Sequence, residues 1–223
     1  MCGIAGQVKF NGKIDSANID AMNDAIQHRG PDGHGIYLNA DASAGLGHRR
    51  LSFLDLSEAG KQPMTNEDGT LWVTYNGEVY NYIELRVELE GHGHVFHSHT
   101  DTEVLLHGYE QWGAGMLNRL KGMFAFAIWD ENKKELFAAR DRFGIKPFYY
   151  FMQGQNLYFG SEYKTLKEVP SFDKTLNDEQ VKRGLQMVWS SYKEETYYKQ
   201  LRSLEAAHNM VWHNGRITIS RYW

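Results

Sequence analysis

The sequence has little that would attach the protein to a membrane or to nucleic acid. Across 223 residues, no apolar run approaches the roughly 20 residues that a membrane-spanning helix needs. The formal net charge is -4, so the chain lacks the excess of basic residues that is typical of nucleic-acid-binding proteins. The N-terminus also lacks the charged region and long apolar segment of a signal peptide. We therefore expect a cytoplasmic protein that binds neither a membrane nor nucleic acid.

Cysteine is almost absent, since the chain has one, at position 2. A single thiol excludes an internal disulfide framework and fits a reducing compartment. If Met1 is removed, Cys2 carries both a thiol and a free α-amine, which titrate near ~8.5 and ~7.7–8.0. The amine can then act as general base for the sulfur, which is a known way to activate a nucleophile. The alternative is a small buried hydrophobic residue in a first strand.

Hydrophobic residues make up 42% of the chain, which is enough for a substantial core. Two groups of strand-like segments, with helical segments between and after them, predict a layered α+β fold. Asp15 or Ser16 is expected to cap the first helix. The predicted strands are 3–10, 35–38, 45–50, 71–75, 123–129, 135–140, 147–151 and 157–159, with weaker strands near the C-terminus; the other predicted helices are 81–90, 101–112 and 177–187, and 52–70 is expected to be a mobile loop.

Two short segments have both a structural and a chemical interpretation. Asn76-Gly77 follows an apolar run, which is a strong hairpin signal. An asparagine amide and a glycine N–H are equally suitable donors for an oxyanion hole. At the end of a predicted strand, Arg49 or Arg50 could hold a carboxylate in a two-bond fork or lie in solvent. The residues alone leave both alternatives open.

Two further segments are equally ambiguous. Residues 28–33 have the glycines and proline of a turn, which fits a helix end followed by a loop. Residues 98–103 fit a helix N-terminus, where acidic side chains are favoured. In the second segment, Asp101 could instead present its carboxylate to a substrate ammonium group.

Together and in this order, these segments resemble one family. The matching stretches are similar to the class II glutamine amidotransferase domain of glutamine-hydrolysing asparagine synthetases. The likeness is dense over residues 1–165 and looser over 166–223, and we expect a single domain of this type over residues 1–223. The stretches are Met-Cys-Gly-Ile at 1–4, His-Arg-Gly-Pro-Asp-Gly at 28–33, 48–52, Tyr-Asn-Gly-Glu at 75–78, Asp-Thr-Glu-Val at 101–104, and Ala-Arg-Asp-Arg-Phe-Gly-Ile-Lys-Pro at 139–147.

The resemblance implies a fold and a reaction. The fold is α+β, the four-layer αββα N-terminal nucleophile hydrolase fold, with two stacked antiparallel sheets between helices. The implied reaction hydrolyses the side-chain amide of L-glutamine to glutamate and ammonia through a thioester on Cys2. Asn76 and the N–H of Gly77 would stabilise the oxyanion.

The resemblance also implies how glutamine is held. Arg50 would clasp the substrate α-carboxylate, and the neighbouring Leu51 and Ser52 would complete that side of the site. Arg49 is the weaker candidate, because the motif match puts Arg50 in the clasping position. Glu78 and Asp101 would receive the α-ammonium. Free glutamine carries both charges, which a glutamine within a peptide lacks.

Motifs for nucleotide chemistry are missing from the chain. It contains neither the Ser-Gly-Gly-x-Asp-Ser loop of the synthetase domain nor a Gly-x-x-x-x-Gly-Lys phosphate loop. ATP and Mg²⁺ are therefore expected only in a partner synthetase domain or subunit, and the chain is expected to be a domain of a longer protein or a separate subunit. A homodimer, another ammonia acceptor and a glutamine-binding module without catalysis stay open as alternatives.

A run of four histidines is a compositional feature of some metal sites. His92, His94, His97 and His99 lie close together, and residues two apart on a strand share a face. Companion carboxylates and cysteines are not spaced along the sequence for zinc, and the implied chemistry needs no metal. We therefore expect no metal in the site.

Overall fold

The protein is described from a computed structural model, which defines residues 1–52, 54–55, 57–186 and 193–223. Strands and helices in these residues follow one another as two groups of strands with helices between and after them. The strands are β1 Gly3–Val8, β2 Gly33–Leu38, β3 Ala44–Arg50, β4 Met64–Thr65, β5 Leu71–Val79, β6 Gly122–Asp130, β7 Glu135–Arg140, β8 Tyr149–Gln153, β9 Asn156–Gly160, β10 Arg202–Ser203, β11 His208–His213 and β12 Arg216–Arg221. The helices are α1 Ser16–Asp24, α2 Tyr82–Gly91, α3 Asp101–Trp112, α4 Tyr163–Lys167 and α5 Asp178–Leu185.

The strands form two six-stranded sheets. The first sheet has the order β10-β8-β9-β1-β3-β2, and the second has the order β12-β11-β7-β6-β5-β4. Every strand pairing within them is antiparallel. This confirms the expected α+β fold with two antiparallel sheets and helices. In the described residues, no helix has both the length and the apolar character needed to cross a membrane.

The two sheets stack face to face, and helices cover their outer faces. Side chains alternate across a strand, so β6 contributes to two different cores. Its Phe124, Phe126 and Ile128 pack in a core with residues of α2 and α3. Its alanines and Trp129 pack between the sheets, against residues such as Ile4 of β1. A third core joins the first sheet to α1 and α4.

Two hydrogen bonds join the sheets to each other at the middle of β3 and of β5. The Thr74 hydroxyl donates to the Gly47 carbonyl oxygen at 2.9 Å. His48 Nε2 lies 3.0 Å from the Tyr75 carbonyl oxygen. Burial lowers the pKa of His48 to about 3, so the imidazole is neutral and donates its Nε2 proton to that carbonyl. These contacts fix the relative position of the two strands, which matters for the site below.

Several element boundaries differ from the expected ones. The strand predicted to end at residue 75 continues to Val79, so Asn76-Gly77 lies inside β5 and the hairpin alternative is wrong. β1 ends at Val8 rather than at residue 10. The α3 bounds agree with the predicted 101–112.

The remaining predictions hold in part. Asp15 caps α1, because its carboxylate accepts a hydrogen bond from the Ala17 N–H. The helix predicted over 177–187 is seen as α5, and residue 187 lies outside the described residues. The stretch expected to be a loop, 52–70, contains a 3₁₀ turn at Glu58–Gly60 and the short strand β4.

Candidate active site

A cavity of about 410 Å³ opens where the start of β1, the end of β3, the edge of β5 and the start of α3 meet. Its size is within the usual range for small-molecule sites. The structure brings all eight predicted site residues to this cavity, although they come from four separate stretches of the sequence. They are Cys2, Arg50, Leu51, Ser52, Asn76, Gly77, Glu78 and Asp101.

The sulfur of Cys2 is held at the cavity wall by backbone groups. The Leu51 N–H donates to Sγ at 3.4 Å, and the thiol lies 3.6 Å from the Leu51 carbonyl oxygen. Arg29 Nε donates to the Cys2 carbonyl oxygen at 2.9 Å, and the same guanidinium pairs with Glu162 at 2.8 Å. Burial raises the pKa of the Cys2 thiol, so the thiolate needs a base or nearby positive charge to form at neutral pH.

The chain N-terminus lies at the same place. Met1 lines the cavity, and burial lowers the pKa of its α-amine. The nitrogen of Cys2 is part of the Met1–Cys2 peptide bond. An amine on the residue that carries the sulfur therefore exists only after Met1 is removed.

The edge of β5 directs a backbone donor toward the cavity. N–H groups along a strand point alternately to its two sides. The Tyr75 N–H points away from β6, because it donates to Gln62 Oε1 at 2.8 Å. The Val79 N–H also points away and donates to Asp101 Oδ2 at 2.8 Å. Gly77 lies midway between them, so its N–H leaves the strand on the same side.

Asn76 supplies a second donor. Its side chain is 1% exposed and lines the cavity, and its Nδ2 has no hydrogen-bond partner among the described residues. A buried donor without a partner costs about 1–3 kcal/mol. Such groups are rare in native proteins and call for an explanation. A bound group that accepts this hydrogen bond would provide one.

Glycine is required at position 77. A Cβ at this position would lie 2.3 Å from the Met123 carbonyl oxygen and 2.7 Å from Phe124 Cα, both of them backbone atoms of β6. Any side chain would therefore push β5 away from β6. The strand can continue through residue 77 only because this atom is missing.

The two neighbouring arginines at the end of β3 point to different places. Arg49 is buried and bonds to the Asn23 carbonyl oxygen at 3.1 Å and to the Asp24 carboxylate. Arg50 lines the cavity, and its guanidinium donates to the carbonyl oxygens of Asp55 and Ser57. The position of Arg50 therefore fits the carboxylate clasp, and the position of Arg49 does not.

The acidic side chains lie at the start of α3 and on β5. Asp101 is buried, and its Oδ2 accepts hydrogen bonds from the Tyr75 hydroxyl at 2.6 Å and from the Val79 N–H. Burial raises the pKa of Asp101, although these hydrogen bonds oppose the increase. Glu78 is more exposed and lines the same cavity. Together they give one side of the cavity a negative character that would favour an ammonium group.

Residues 28–33 support the end of β3 that lines the cavity. The Ser52 N–H donates to Asp32 Oδ2 at 2.9 Å, and the Asp32 N–H donates to the Arg50 carbonyl oxygen at 3.0 Å. A Cβ on Gly30 would lie 2.4 Å from the Arg49 carbonyl oxygen. The turn therefore packs directly on the end of β3, and it is more than a helix end followed by a loop.

Sequence reasoning assigned no role to Lys146 or Arg29, which the structure puts beside the nucleophile. Lys146 lines the cavity and is buried, and burial lowers the pKa of its ammonium group. Its backbone N–H is fixed by Asp141 Oδ2 at 2.9 Å. Arg29 and Lys146 both lie within stretches that resemble the amidotransferase family, at 28–33 and 139–147. That resemblance is the signal in the sequence that could have indicated them.

The cavity combines a thiol, two hydrogen-bond donors and separate charges of both signs. The donors on β5 can bind an oxygen that gains negative charge when a nucleophile attacks a carbonyl group. The guanidinium and the carboxylates can hold the two charged ends of a small amino acid. This arrangement is suited to nucleophilic attack by sulfur on an amide.

Comparisons with known proteins show the family of the chain. A family model described as "Glutamine amidotransferase domain" matches residues 1–223. The chain is 37% identical to asparagine synthetase (glutamine-hydrolysing) 3 of Bacillus subtilis (strain 168) over 231 residues, which cover 100% of the chain and 36% of the relative. It is 46% identical to asparagine synthetase (glutamine-hydrolysing) 1 of the same organism over 170 residues, which cover 74% of the chain and 26% of the relative. The chain thus spans about a third of the length of these relatives.

A solved structure shares the fold. The glutamine phosphoribosylpyrophosphate amidotransferase from B. subtilis, complexed with ADP and GMP, superimposes with a TM-score of 0.75 at 21% identity. The match covers 100% of this chain and 49% of that one. With a family model matched over its whole length and relatives above 30% identity, the chain belongs to the glutamine amidotransferase domain family.

Proposed function

We propose that this chain hydrolyses the side-chain amide of L-glutamine to glutamate and ammonia. The observation that carries the proposal is the meeting of three groups at one cavity. They are the single thiol of the chain, the unpartnered Nδ2 of Asn76 and the outward N–H of Gly77. Acyl transfer from an amide requires a nucleophile and oxyanion donors that face the same small cavity.

The first half of the reaction forms a thioester. After removal of Met1, the α-amine of Cys2 accepts the thiol proton, and Sγ attacks the amide carbon of glutamine. The carbonyl oxygen takes up negative charge and accepts hydrogen bonds from Asn76 Nδ2 and the Gly77 N–H. The C–N bond then breaks, and the proton held by the amine is transferred to the leaving nitrogen, which departs as ammonia.

The second half releases glutamate. A water molecule gives a proton to the same α-amine and attacks the thioester carbon. The oxyanion forms again at the same donors, the C–S bond breaks, and the proton returns to sulfur. No redox step or metal takes part, so we propose that this half-reaction needs no cofactor.

The charges around the cavity support free glutamine as substrate. Arg50 is proposed to bind the α-carboxylate, with Leu51 and Ser52 beside it at the end of β3. Glu78 and Asp101 are proposed to bind the α-ammonium. Asp101 suits this role because the Tyr75 hydroxyl and the Val79 N–H already hold its Oδ2 in place.

The use of the ammonia is proposed from the relatives. Those at 37% and 46% identity are named as glutamine-hydrolysing asparagine synthetases and extend well beyond the matched region. We therefore propose that the ammonia passes to an ATP-dependent synthetase domain or subunit, and that ATP and Mg²⁺ bind there. The single cysteine supports a reducing, cytoplasmic location.

Labelling with 6-diazo-5-oxo-norleucine, a reactive glutamine analogue, tests the proposal directly. We expect one covalent adduct on residue 2, detected by peptide mass spectrometry, in chain from which Met1 has been removed. We also expect glutamate release from glutamine by the same sample. The Cys2→Ala variant should give neither adduct nor glutamate.

The matched variant is Cys2→Ser, which keeps the shape of the residue with a poorer nucleophile. It should still bind glutamine and lose most of its turnover. If processed chain with an intact Cys2 binds glutamine and releases no glutamate, the proposed hydrolysis is wrong and the chain is a glutamine-binding module.

A further inference from the structure

A second polar cluster lies on α3, away from the glutamine cavity. His107 and Glu110 are one helical turn apart and share a face of the helix. His94 reaches the same place from the segment between α2 and α3. The other histidines of the run, His92, His97 and His99, are not part of the group. The two residues that meet His94 are thus 13 and 16 positions further along the chain. The spacing within the histidine run did not indicate this grouping.

The backbone after α2 places His94 by a defined helix ending. Gly93 has φ = +98°, the left-handed conformation that favours glycine. The Gly93 N–H donates to the Glu90 carbonyl oxygen at 3.0 Å, and the His94 N–H donates to the Leu89 carbonyl oxygen at 3.1 Å. These two bonds form the Schellman motif. The ending turns the chain so that the His94 imidazole faces α3.

Three ligand atoms converge at this point. His94 Nδ1 lies 3.2 Å from His107 Nδ1 and 3.5 Å from Glu110 Oε2, and His107 Nδ1 lies 2.9 Å from Glu110 Oε2. In a tetrahedral site with bonds of about 2.0–2.1 Å, ligand atoms are about 3.3 Å apart. The observed triangle has nearly this size. Its side chains are 16%, 1% and 26% exposed for His94, His107 and Glu110, so the fourth direction is accessible to solvent.

Neighbouring residues hold each ligand by its other polar atom. His94 Nε2 faces Gln111 Oε1, an acceptor, at 3.2 Å, so Nε2 carries the proton and the Nδ1 lone pair is free. Glu110 Oε1 accepts a hydrogen bond from Asn66 Nδ2 at 2.7 Å, which leaves Oε2 for the triangle. Metal-binding histidines and carboxylates are normally held by outer contacts of this kind.

The environment of His107 adds negative charge. Its Nε2 is buried without a hydrogen-bond partner among the described residues and lies 3.8 Å from Glu103 and 3.9 Å from Glu67. These carboxylates favour a proton on Nε2, which again leaves the Nδ1 lone pair free. They also favour a cation nearby.

From this geometry we infer that His94, His107 and Glu110 bind a Zn²⁺ ion, with water as the fourth ligand. Two imidazole nitrogens and one carboxylate oxygen are a common zinc ligand set. The ion joins the segment after α2 to the middle of α3. Because α3 begins with Asp101 in the glutamine cavity, the site supports the helix that carries this residue, and it takes no part in the reaction.

Metal content and zinc titration of the full chain test the inference. The chain should carry Cys2→Ala, so that the thiol cannot bind the metal. After chelator treatment and reloading with ZnCl₂, we expect one zinc per chain to survive dialysis. A 100-fold excess of zinc over its dissociation constant should raise the melting temperature by about 5–10 °C. Co²⁺ in place of Zn²⁺ should give the strong visible absorption of four-coordinate cobalt, without thiolate charge transfer.

Variants on the same background identify the ligands. His94→Ala should lower zinc affinity more than about 100-fold, since loss of an outer contact alone costs about 10–100-fold. Glu110→Gln keeps the size of the side chain and should also abolish retention. His92→Ala is the matched control, because this exposed histidine of the same run lies outside the triangle. It should bind zinc normally.

The competing state is a protonated His107 without metal. Burial lowers the pKa of His107, but the nearby carboxylate of Glu103 and the hydrogen bond with Glu110 outweigh burial and raise the pKa to about 9. A proton there would neutralise the same carboxylates. Zinc that dialyses away, or zinc binding that is unchanged by His94→Ala, would overturn the inference in favour of this state.

Discussion

The two sheets contribute opposite kinds of groups to the candidate active-site cavity. The first sheet contributes the sulfur, whose surroundings are already bonded: Leu51 contacts Sγ, and Arg29 holds the carbonyl group of Cys2. The second sheet contributes donors that are still open, the Nδ2 of Asn76 and the N–H of Gly77. The first sheet therefore holds the proposed reacting atom in place. The second sheet keeps free donors that can bind the negative charge that forms only during the reaction.

The difference has a physical cause in the strands. The sulfur lies just before β1, which pairs with β3 from Gly3 and with β9 from Ala5. β5 is paired on its outer side only near Val73, because β4 is two residues long. Beyond that point the side chains of Gln62 and Asp101 accept the outer N–H groups of Tyr75 and Val79, and the N–H of Gly77 between them faces the cavity.

The largest expected effect comes from removing the side-chain amide of Asn76, whose Nδ2 is a donor without a partner among the described residues. Asn76→Ala should lower the kcat for glutamate release by about 10²–10³-fold, the usual loss for one oxyanion-hole donor. KM should change little, because the hydrogen bond strengthens only as the oxyanion forms. Steady-state kinetics of processed chain measure both. An equal rise in KM with unchanged kcat would mean that Asn76 binds substrate and that the contrast between the two sheets is wrong.

The neighbouring arginines give the next largest effect and serve as each other's control. Arg50→Ala should raise KM about 10–100-fold with a smaller effect on kcat, since the clasp binds substrate and transition state alike. Arg50→Lys should recover only part of the loss, because lysine lacks the two-pronged donor. Both are measured as KM for glutamine.

Arg49→Ala should leave KM unchanged and lower the free energy of unfolding by about 1–3 kcal/mol, because it removes buried hydrogen bonds. Urea denaturation measures this loss. If Arg49→Ala raises KM as much as Arg50→Ala does, the assignment of the clasp is wrong.

The free energy of unfolding should fall in acid because of the buried His48 between the sheets. His48 has a pKa of about 3 in the folded protein and about 6.5 when unfolded. The unfolded chain therefore takes up a proton first, and stability falls as pH drops from 6.5 toward 3. At pH 5 this should cost about 2 kcal/mol, or about 30-fold in the folding equilibrium.

The His48→Gln variant is the control, because it removes the titrating group and can still donate to the Tyr75 carbonyl oxygen. Urea unfolding at pH 7 and pH 5 should show a smaller decrease for the variant than for the original chain. Equal decreases would mean that other groups cause the acid sensitivity.

The smallest effect concerns the sulfur in chain that retains Met1. Burial raises the pKa of Cys2, so alkylation by iodoacetamide should be slower near pH 8 in the folded chain than in denaturant, by less than about tenfold. The rate should increase with pH until the thiol is ionised. The chain has one cysteine, so mass spectrometry reports this site alone. A folded rate equal to or above the denatured rate would contradict the effect of burial.

Local patterns predicted the elements whose stability is mostly local. α3 agrees with its predicted range because acidic residues at its start and apolar spacing along it all favour a helix. β5 was predicted to stop at residue 75, because Asn-Gly favours a turn. It continues because the missing Cβ of Gly77 lets β6 approach, and that is a contact between residues 46 positions apart in the chain.

The site also has features that the sequence indicated and features that it did not. The resemblance indicated the eight residues around the cavity, and the structure adds how they meet. The support from Arg29 and Asp32, the direction of the Gly77 N–H and the His94–His107 contact depend on strand register and loop closure. Neither can be read from residue spacing, because each joins segments that are distant in sequence.

The hydrogen bonds between Thr74 and Gly47 and between His48 and Tyr75 cross the interface between the two sheets. They resist sliding of one sheet over the other at the level of the cavity. The distance from the nucleophile to the oxyanion donors is therefore set by the packing of the two sheets before a substrate binds.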